Sequence, residues 1–341
     1  MGTKVGVIFN PLAGRGEAFF LIGKLLQEKI GSYAGIITGK GGYGEDFVSK
    51  AEKVLVPKGE RIPEAIDGFV EELLEQRVSL VIGVGGDGTM NLIASSILRR
   101  GASFLPLMGI AAGTANVGPL IRFDLKELQA FEPKKMKFHK VKPLCVSLNG
   151  EHIGYAFIDV VIGDTFLGTI NGEVKALDAA AFYYKNLKKP KEPASRMEEV
   201  LVVKKERCIK VKGVAQVIAS PIHHPRFYVG KAIVGSLCWA YHLRMGGVIA
   251  FASVPIVDPN IDLEALEMKE PVRLEHVLFK EGERVYLEGF PEDTFVILDG
   301  NPSSPAGGKG MVIEIFPEAL KVISNRPYNL DCYPVGMNRD G

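Results

Sequence analysis

The sequence predicts an α/β protein: an N-terminal domain built on a parallel sheet, followed by a second, mainly β domain. Three observations carry this. Strand-like and helix-like stretches alternate through the first third of the chain; glycine clusters fall where those strands end; and past about Phe138 the texture changes to short runs rich in Val, Ile, Phe and Tyr. At 341 residues the chain also exceeds the roughly 250–300 residues at which a single core stops growing.

Val5 to Asn10 reads as a buried strand, Glu17 to Ile30 as an amphipathic helix, and Ile36–Ile37 as the start of another strand. Pro63 to Gln76 is again helical. Ser79 to Val84 is a strand, Met90 to Arg100 a helix, and Leu105 to Ile110 a strand that ends in a glycine-rich turn. In such sheets ligands sit beyond the carboxyl ends of the strands, so the site is expected in those turns. The β texture shows in Pro143 to Leu148, Tyr155 to Ile162, Glu199 to Val203 and Val248 to Val254, with little helical periodicity between them. Lys185 to Glu199 reads as a charged, proline-bearing loop, and Ala319 to Arg326 as a strand of either domain. The expected division is 1–138, 139–317, and a final segment, 318–341, that can return to the first domain.

Composition excludes several classes. The 41 basic side chains nearly cancel the 40 acidic ones and 47% of residues are hydrophobic, which fits neither a disordered chain nor a globally basic nucleic-acid binder. Cys145, Cys208, Cys238 and Cys332 lie far apart without a CxxC pair, so neither a zinc site nor a disulfide framework is suggested. With no apolar run near 18 residues and no signal-peptide pattern, a cytoplasmic protein without membrane insertion is expected.

Three glycine turns carry the chemistry. Asn10-Pro11-Leu12-Ala13-Gly14-Arg15-Gly16 joins a strand to a helix start, where backbone N–H groups favour anions and Arg15 adds a cation; the lysine of a Walker A loop is absent. A plain strand-to-helix turn with Asn10 as a cap is the alternative. Gly83-Val84-Gly85-Gly86-Asp87-Gly88-Thr89-Met90-Asn91 again lies between strand and helix. It satisfies GxGxxG, but no acidic residue stands about 20 positions on to hold a ribose. Asp87 among bare glycines would repel a pyrophosphate unless it binds a metal or takes a proton from a hydroxyl; the alternative is that it caps the following helix. The third turn, Gly109-Ile110-Ala111-Ala112-Gly113-Thr114-Ala115-Asn116, lets a ring or phosphate approach the backbone and offers the Thr114 hydroxyl and Asn116 amide.

Asn10-Pro11 with Gly14 and Gly16, then Gly85-Gly86-Asp87-Gly88-Thr89, then Gly113-Thr114-Ala115-Asn116, in this order, resembles the superfamily of NAD kinases, diacylglycerol and sphingosine kinases, and AcoX-type ATP-NAD kinase-like proteins. The AcoX-type proteins combine these features best. Leu298-Asp299-Gly300 is similar to the late Asp-Gly of these families. The resemblance implies ATP and Mg2+ bound in a cleft between the α/β domain and a β-sandwich domain, and phosphoryl transfer to a hydroxyl. By it Asp87 accepts or orients the hydroxyl proton, and Asn10, Gly14, Arg15, Gly85, Gly86, Gly88, Thr89, Asn91, Gly113, Thr114 and Asn116 hold the nucleotide. It also implies a homo-oligomer.

The acceptor is less legible. NAD kinases carry an Asn-Glu pair where this chain has Ile158-Asp159, so the acid is kept and the amide is not. Asp159 and Asp299 are the candidate substrate residues, with a charge at a sheet edge the alternative for Asp159. The late lipid-kinase Asp-Gly-Glu is here Asp299-Gly300-Asn301, whereas the Gly113 turn is closer to the lipid kinases. Trp239 can stack on a ring or sit in a core. His223 and His224 look like a metal pair, but neighbours on a strand face opposite ways. The basic run Lys204 to Lys212 reads as a solvated strand and turn. The expectation is an ATP- and Mg2+-dependent kinase with NAD as acceptor; the alternatives are a lipid kinase acting on diacylglycerol or a sphingoid base, and a nucleotide-binding regulator without turnover.

Overall fold

The computed structural model describes residues 3–14, 16–113, 116–171, 173–257 and 272–325. The first domain runs β1 (Lys4–Phe9), α1 (Phe19–Lys29), β2 (Gly35–Gly39), β3 (Lys53–Leu55), α2 (Ile62–Glu75), β4 (Leu80–Gly85), α3 (Asp87–Arg99), β5 (Leu107–Ala111), β6 (Ile121–Phe123), α4 (Leu125–Gln129) and β7 (Lys137–Val141). The second runs β8 (Leu144–Leu148), β9 (Glu151–Ala156), β10 (Val160–Gly163), β11 (Thr165–Ile170), β12 (Glu173–Asp178), α5 (Ala179–Lys185), β13 (Met197–Lys204), β14 (Arg207–Val214), β15 (Gln216–Pro221), α6 (Val234–His242), β16 (Gly247–Ala252), β17 (Leu274–Phe279), β18 (Arg284–Glu288), β19 (Phe295–Leu298), β20 (Asn301–Pro305) and β21 (Met311–Ile315). The last strand, β22 (Leu320–Ser324), returns to the first sheet.

That sheet has the order β3-β2-β1-β4-β5-β22-β7, with β6 on β5; β1 to β6 pair in parallel and β22 lies parallel to β5 and antiparallel to β7. Its strands are apolar on both faces because both are covered. One face packs Ile8, Ile37 and Val81 against Ala65, Ile66 and Phe69 of α2 and Ile93 and Ile97 of α3. The other packs Val5, Val7 and Ile82 against Ile22 and Leu26 of α1 and Leu128 of α4. Because β7 pairs with β22, the first sheet keeps the chain to Val141, and the segment 319–326, open between domains on sequence, supplies its inserted strand.

The second domain is two six-stranded antiparallel sheets, β17-β16-β15-β10-β19-β20 and β14-β13-β18-β21-β8-β9, with the hairpin β11–β12 alongside. Val146, Val200 and Ile313 of one sheet meet Val160, Val217, Phe251 and Val296 of the other in a single core. The mixed α/β and β-sandwich architecture is thus the expected one. It also contains α5 and α6, which the apolar texture concealed: AAAFYYK and VGSLCWAYH are too short and too uniformly apolar to show a stripe. Among the described residues no helix is long and apolar enough to cross a membrane.

Helix α3 joins the domains. Every residue from Met90 to Leu98 except Leu92 is buried, since α3 packs on the sheet, on α2 and on β9. It is tied to α2 by Asp67, which accepts from Ser96 Oγ at 2.6 Å and from both terminal nitrogens of Arg100. In β5, Gly109 admits the chain that returns alongside it as β6: a Cβ there would lie 2.3 Å from the Leu120 carbonyl oxygen. Backbone cannot yield as a side chain can, so Gly109→Ala is expected to destabilise the protein by about 1–3 kcal/mol. Thermal unfolding measures it, and an unchanged melting temperature would contradict this account of the site's floor.

Candidate active site

The three turns follow β1, β4 and β5, which neighbour one another in the sheet, so they gather at one edge. Asn10 links the first two. Its Oδ1 accepts from Leu12 N at 3.0 Å, shaping the first turn, and its Nδ2 donates to Thr89 Oγ1 at 2.8 Å. Gly14 is exposed just beyond, and Arg15 lies outside the described residues. Gly85 closes β4, where a Cβ would strike the Thr89 side chain. Gly86 and Gly113 bring the second and third turns together, a Cβ on Gly113 falling 2.7 Å from Gly86 Cα and 2.8 Å from Asn116 Oδ1. Asn116 donates from Nδ2 to Gly113 O at 3.3 Å, while its buried Oδ1 has no partner among the described residues; Thr114 lies outside them.

Asp87 is the first residue of α3 but does not cap it. Gly86 is the N-cap, and the Asp87 carboxylate turns away to accept from Val117 N at 2.7 Å and Gly118 N at 3.1 Å, both through Oδ2. Oδ1 is buried and has no hydrogen-bond partner among the described residues. Burial, reinforced by the charges of Asp299 and Asp159, pushes the Asp87 carboxyl up to about 7 against an ordinary 3.8, the two N–H bonds opposing.

The β domain supplies the opposite wall through the segment joining β9 to β10. Asp299, in a left-handed conformation at φ 48°, accepts from Phe157 N, Ile158 N, Asp159 N and Asn91 Nδ2, at 2.8, 2.8, 3.0 and 2.8 Å. Asn91 Nδ2 also donates to Tyr155 O at 2.7 Å, so this amide, expected with the nucleotide, is committed to the domain junction. Carbonyls of the same segment are held too: Phe157 O by His223 Nε2 at 2.8 Å, Ile158 O by Ser220 Oγ and by Lys231 Nζ at 3.1 Å. What this pinned backbone presents is Asp159, half-buried, pushed up to about 6 by burial and by Asp299, with Lys231 opposing. Asn301 completes the junction, donating to Gly88 O at 3.3 Å.

Lys231, His223, Ser220 and Asn301 were not among the residues expected in the site. Lys231 and Ser220 had no local signal. Asn301 was visible only as a departure from Asp-Gly-Glu. His223 and His224 turn to different partners, His224 accepting from Arg226 N at 3.3 Å, and burial holds the His223 ring near 3, hence neutral. Trp239 is 62% exposed on α6. Lys204 and Lys205 pair with Glu283 and Lys210 with Glu199 on the β sandwich.

A doubly covered parallel sheet thus brings its glycine turns, with Asp87, against the Phe157–Asp159 segment of a β sandwich held by Asp299. Residues 4–120 match the diacylglycerol kinase catalytic domain family. Over 95% of this chain and 84% of the other, the fold is similar to that of yeast NADH kinase, solved with NADH, at a TM-score of 0.53 and 12% identity. An uncharacterized protein of Archaeoglobus fulgidus is 29% identical over 305 residues, 88% of this chain and 91% of its own. The first domain thus resembles a diacylglycerol kinase catalytic domain, and the chain as a whole shares the fold of an NADH kinase.

Proposed function

We propose that the protein is an ATP- and Mg2+-dependent kinase that transfers the terminal phosphoryl group of ATP to a hydroxyl of a small molecule, with NAD as the acceptor. The observation that carries this reading is Asp87 Oδ1, a buried acceptor without a donor among the described residues, set where the glycine turns meet the β-domain wall. Its raised acidity constant suits a base near neutral pH.

In this reading the backbone of Gly85, Gly86, Gly88 and Gly113, with Asn10, Thr89 and Asn116, seats the triphosphate; Gly14 and the side chains of Arg15 and Thr114 are assigned to the nucleotide by sequence. The acceptor hydroxyl passes its proton to Asp87 as its oxygen bonds to the terminal phosphorus and the bond to ADP breaks. Asp299 and Asn91 fix the wall, and Asp159 orients the acceptor. Mg2+ ordinarily rests on one or two carboxylates and the substrate phosphates, keeping several waters, and the Asp159 carboxylate, near enough to Asp87 for its charge to raise that carboxyl, would hold the ion there. When bound, the ion neutralises phosphate charge.

The NAD assignment draws on the kept acid at Asp159 and on the fold shared with NADH kinase. A lipid acceptor is the second reading. It draws on the diacylglycerol kinase match of the first domain and on exposed Val229, Val234, Trp239 and Leu243, in and beside α6. Radiolabelled ATP offered to NAD, NADH, diacylglycerol and sphingosine side by side separates them: label in NADP from plain buffer supports the first, label only in lipid with vesicles or detergent the second. ATP binding without transfer to any acceptor leaves the regulator reading.

Gly86→Val tests the phosphate turn. A Cβ at Gly86 meets nothing closer than Gly113 Cα at 3.4 Å, so the fold tolerates a side chain that blocks the approach of phosphate. ATP affinity is expected to fall at least about tenfold, as for a lost charge-assisted contact, with little change in melting temperature. Calorimetric ATP titration decides it, and wild-type affinity removes the turn from the site.

A further inference from the structure

Lys231 is 6% exposed, in the segment between the 3-10 turn Pro225–Phe227 and α6. Its Nζ donates to Ile158 O, a carbonyl that Ser220 Oγ already satisfies. An ammonium has three N–H donors, so two are uncommitted, and Lys231 forms no ion pair among the described residues. The carboxylates of Asp159, Asp299 and Asp87 attract it only through space. Two of these are occupied by other donors: Asp299 by four, and Asp87 Oδ2 by two backbone N–H groups. A desolvated cation with one hydrogen bond is costly unless something else meets it. The adjacent Gly230 abuts Val117, a Cβ there lying 3.1 Å from Val117 Cγ1, so the lysine stands beside the segment that holds Asp87, with its Nζ on the Ile158 carbonyl.

We infer that Lys231 is a phosphate-binding residue of the cleft, its two open N–H groups receiving a phosphate oxyanion opposite Asp87. The oxyanion belongs to the terminal group of ATP or to a phosphate carried by the acceptor. The cation offsets the repulsion that the carboxylates impose on any phosphate entering there. This rests on the kinase reading above.

The test uses the full chain as wild type, Lys231→Met and Lys231→Arg. Tripolyphosphate, ADP and ATP are titrated calorimetrically, and KM is measured for NAD and for diacylglycerol. A phosphate contact predicts a loss of about 10–100-fold in Lys231→Met, partly restored in Lys231→Arg. Loss for tripolyphosphate and ATP but not ADP assigns the oxyanion to the donor's terminal group. A raised KM for NAD with ATP affinity and the diacylglycerol KM unchanged assigns it to the acceptor. Wild-type values throughout in a folded Lys231→Met protein overturn the inference, and so do equal losses for ADP and diacylglycerol, which mark a structural lysine. Should Lys231→Met not fold, Lys231→Gln, which keeps a donor for Ile158 O, carries the same comparison. Wild-type protein that binds no triphosphate overturns the kinase reading as well, whereas wild-type binding with an indifferent lysine overturns this inference alone.

Discussion

Asp87→Asn is expected to lower kcat by about 100- to 10,000-fold while ATP binding stays measurable, because the amide keeps an acceptor for Val117 N and Gly118 N but cannot take a proton. Asp87→Ala should lose as much turnover. Turnover equal to wild type in either variant rules Asp87 out as the base. The same substitution carries a stability signature. Between pH of about 4 and 7 the folded chain holds a proton on Asp87 that the unfolded chain has released, so wild-type stability falls as pH rises through that window. Asn has no such dependence. In the ligand-free protein Asp87→Asn should therefore gain on wild type between pH 4 and 8, by on the order of 2–4 kcal/mol, and the gain should vanish toward pH 4. Parallel melting curves at the two pH values check this, and a constant difference would mean that the carboxylate is not strained by burial.

Asp299→Ala is expected to cost about 3–5 kcal/mol and to abolish transfer, since it strands Phe157 N, Ile158 N, Asp159 N and Asn91 Nδ2 in a buried junction. Asp299→Asn should fare little better. Both carboxylate oxygens accept two donors each, so either orientation of the amide sets an NH2 group against N–H donors. Denaturant unfolding with a parallel ATP titration separates the effects: the first turns are supported by the sheet and should still bind nucleotide when the β-domain wall loosens. Wild-type stability in both variants would show that Asp299 does not hold the segment between β9 and β10.

Much of the first domain was legible because its signals are local. β1, β4 and β5 are short apolar runs that lead into glycine-bearing turns, and α1 and α2 carry apolar residues at helical spacing. Helix α3 begins at Asp87, earlier than the periodicity from Met90 suggests, because Asp87-Gly88-Thr89 reads as turn chemistry in sequence and is held helical by its burial against β4 and β9. α5 and α6 carried no helical signal because each is short and its exposed face is apolar as well, Tyr184 on α5 and Val234 and Trp239 on α6, so no polar stripe marks it. At the site, the glycine turns were legible while their partners were not. Asn91 and Asp299 are 208 positions apart, and Lys231 and Ile158 are 73 apart.

The amino-acid order by itself determined the strand-turn-helix units, the two textures of the chain and the three bare turns, since each depends on side-chain periodicity or on backbone freedom within a few residues. Tertiary structure alone decided that Asp299 is a clamp on the opposite wall, that Asp87 turns from its helix to the Val117 and Gly118 amides, and that Lys231 reaches the Ile158 carbonyl. The reason is physical: a hydrogen bond or a desolvated charge depends on which atoms end within a few ångströms, and the two sheets, not local sequence, bring those atoms together.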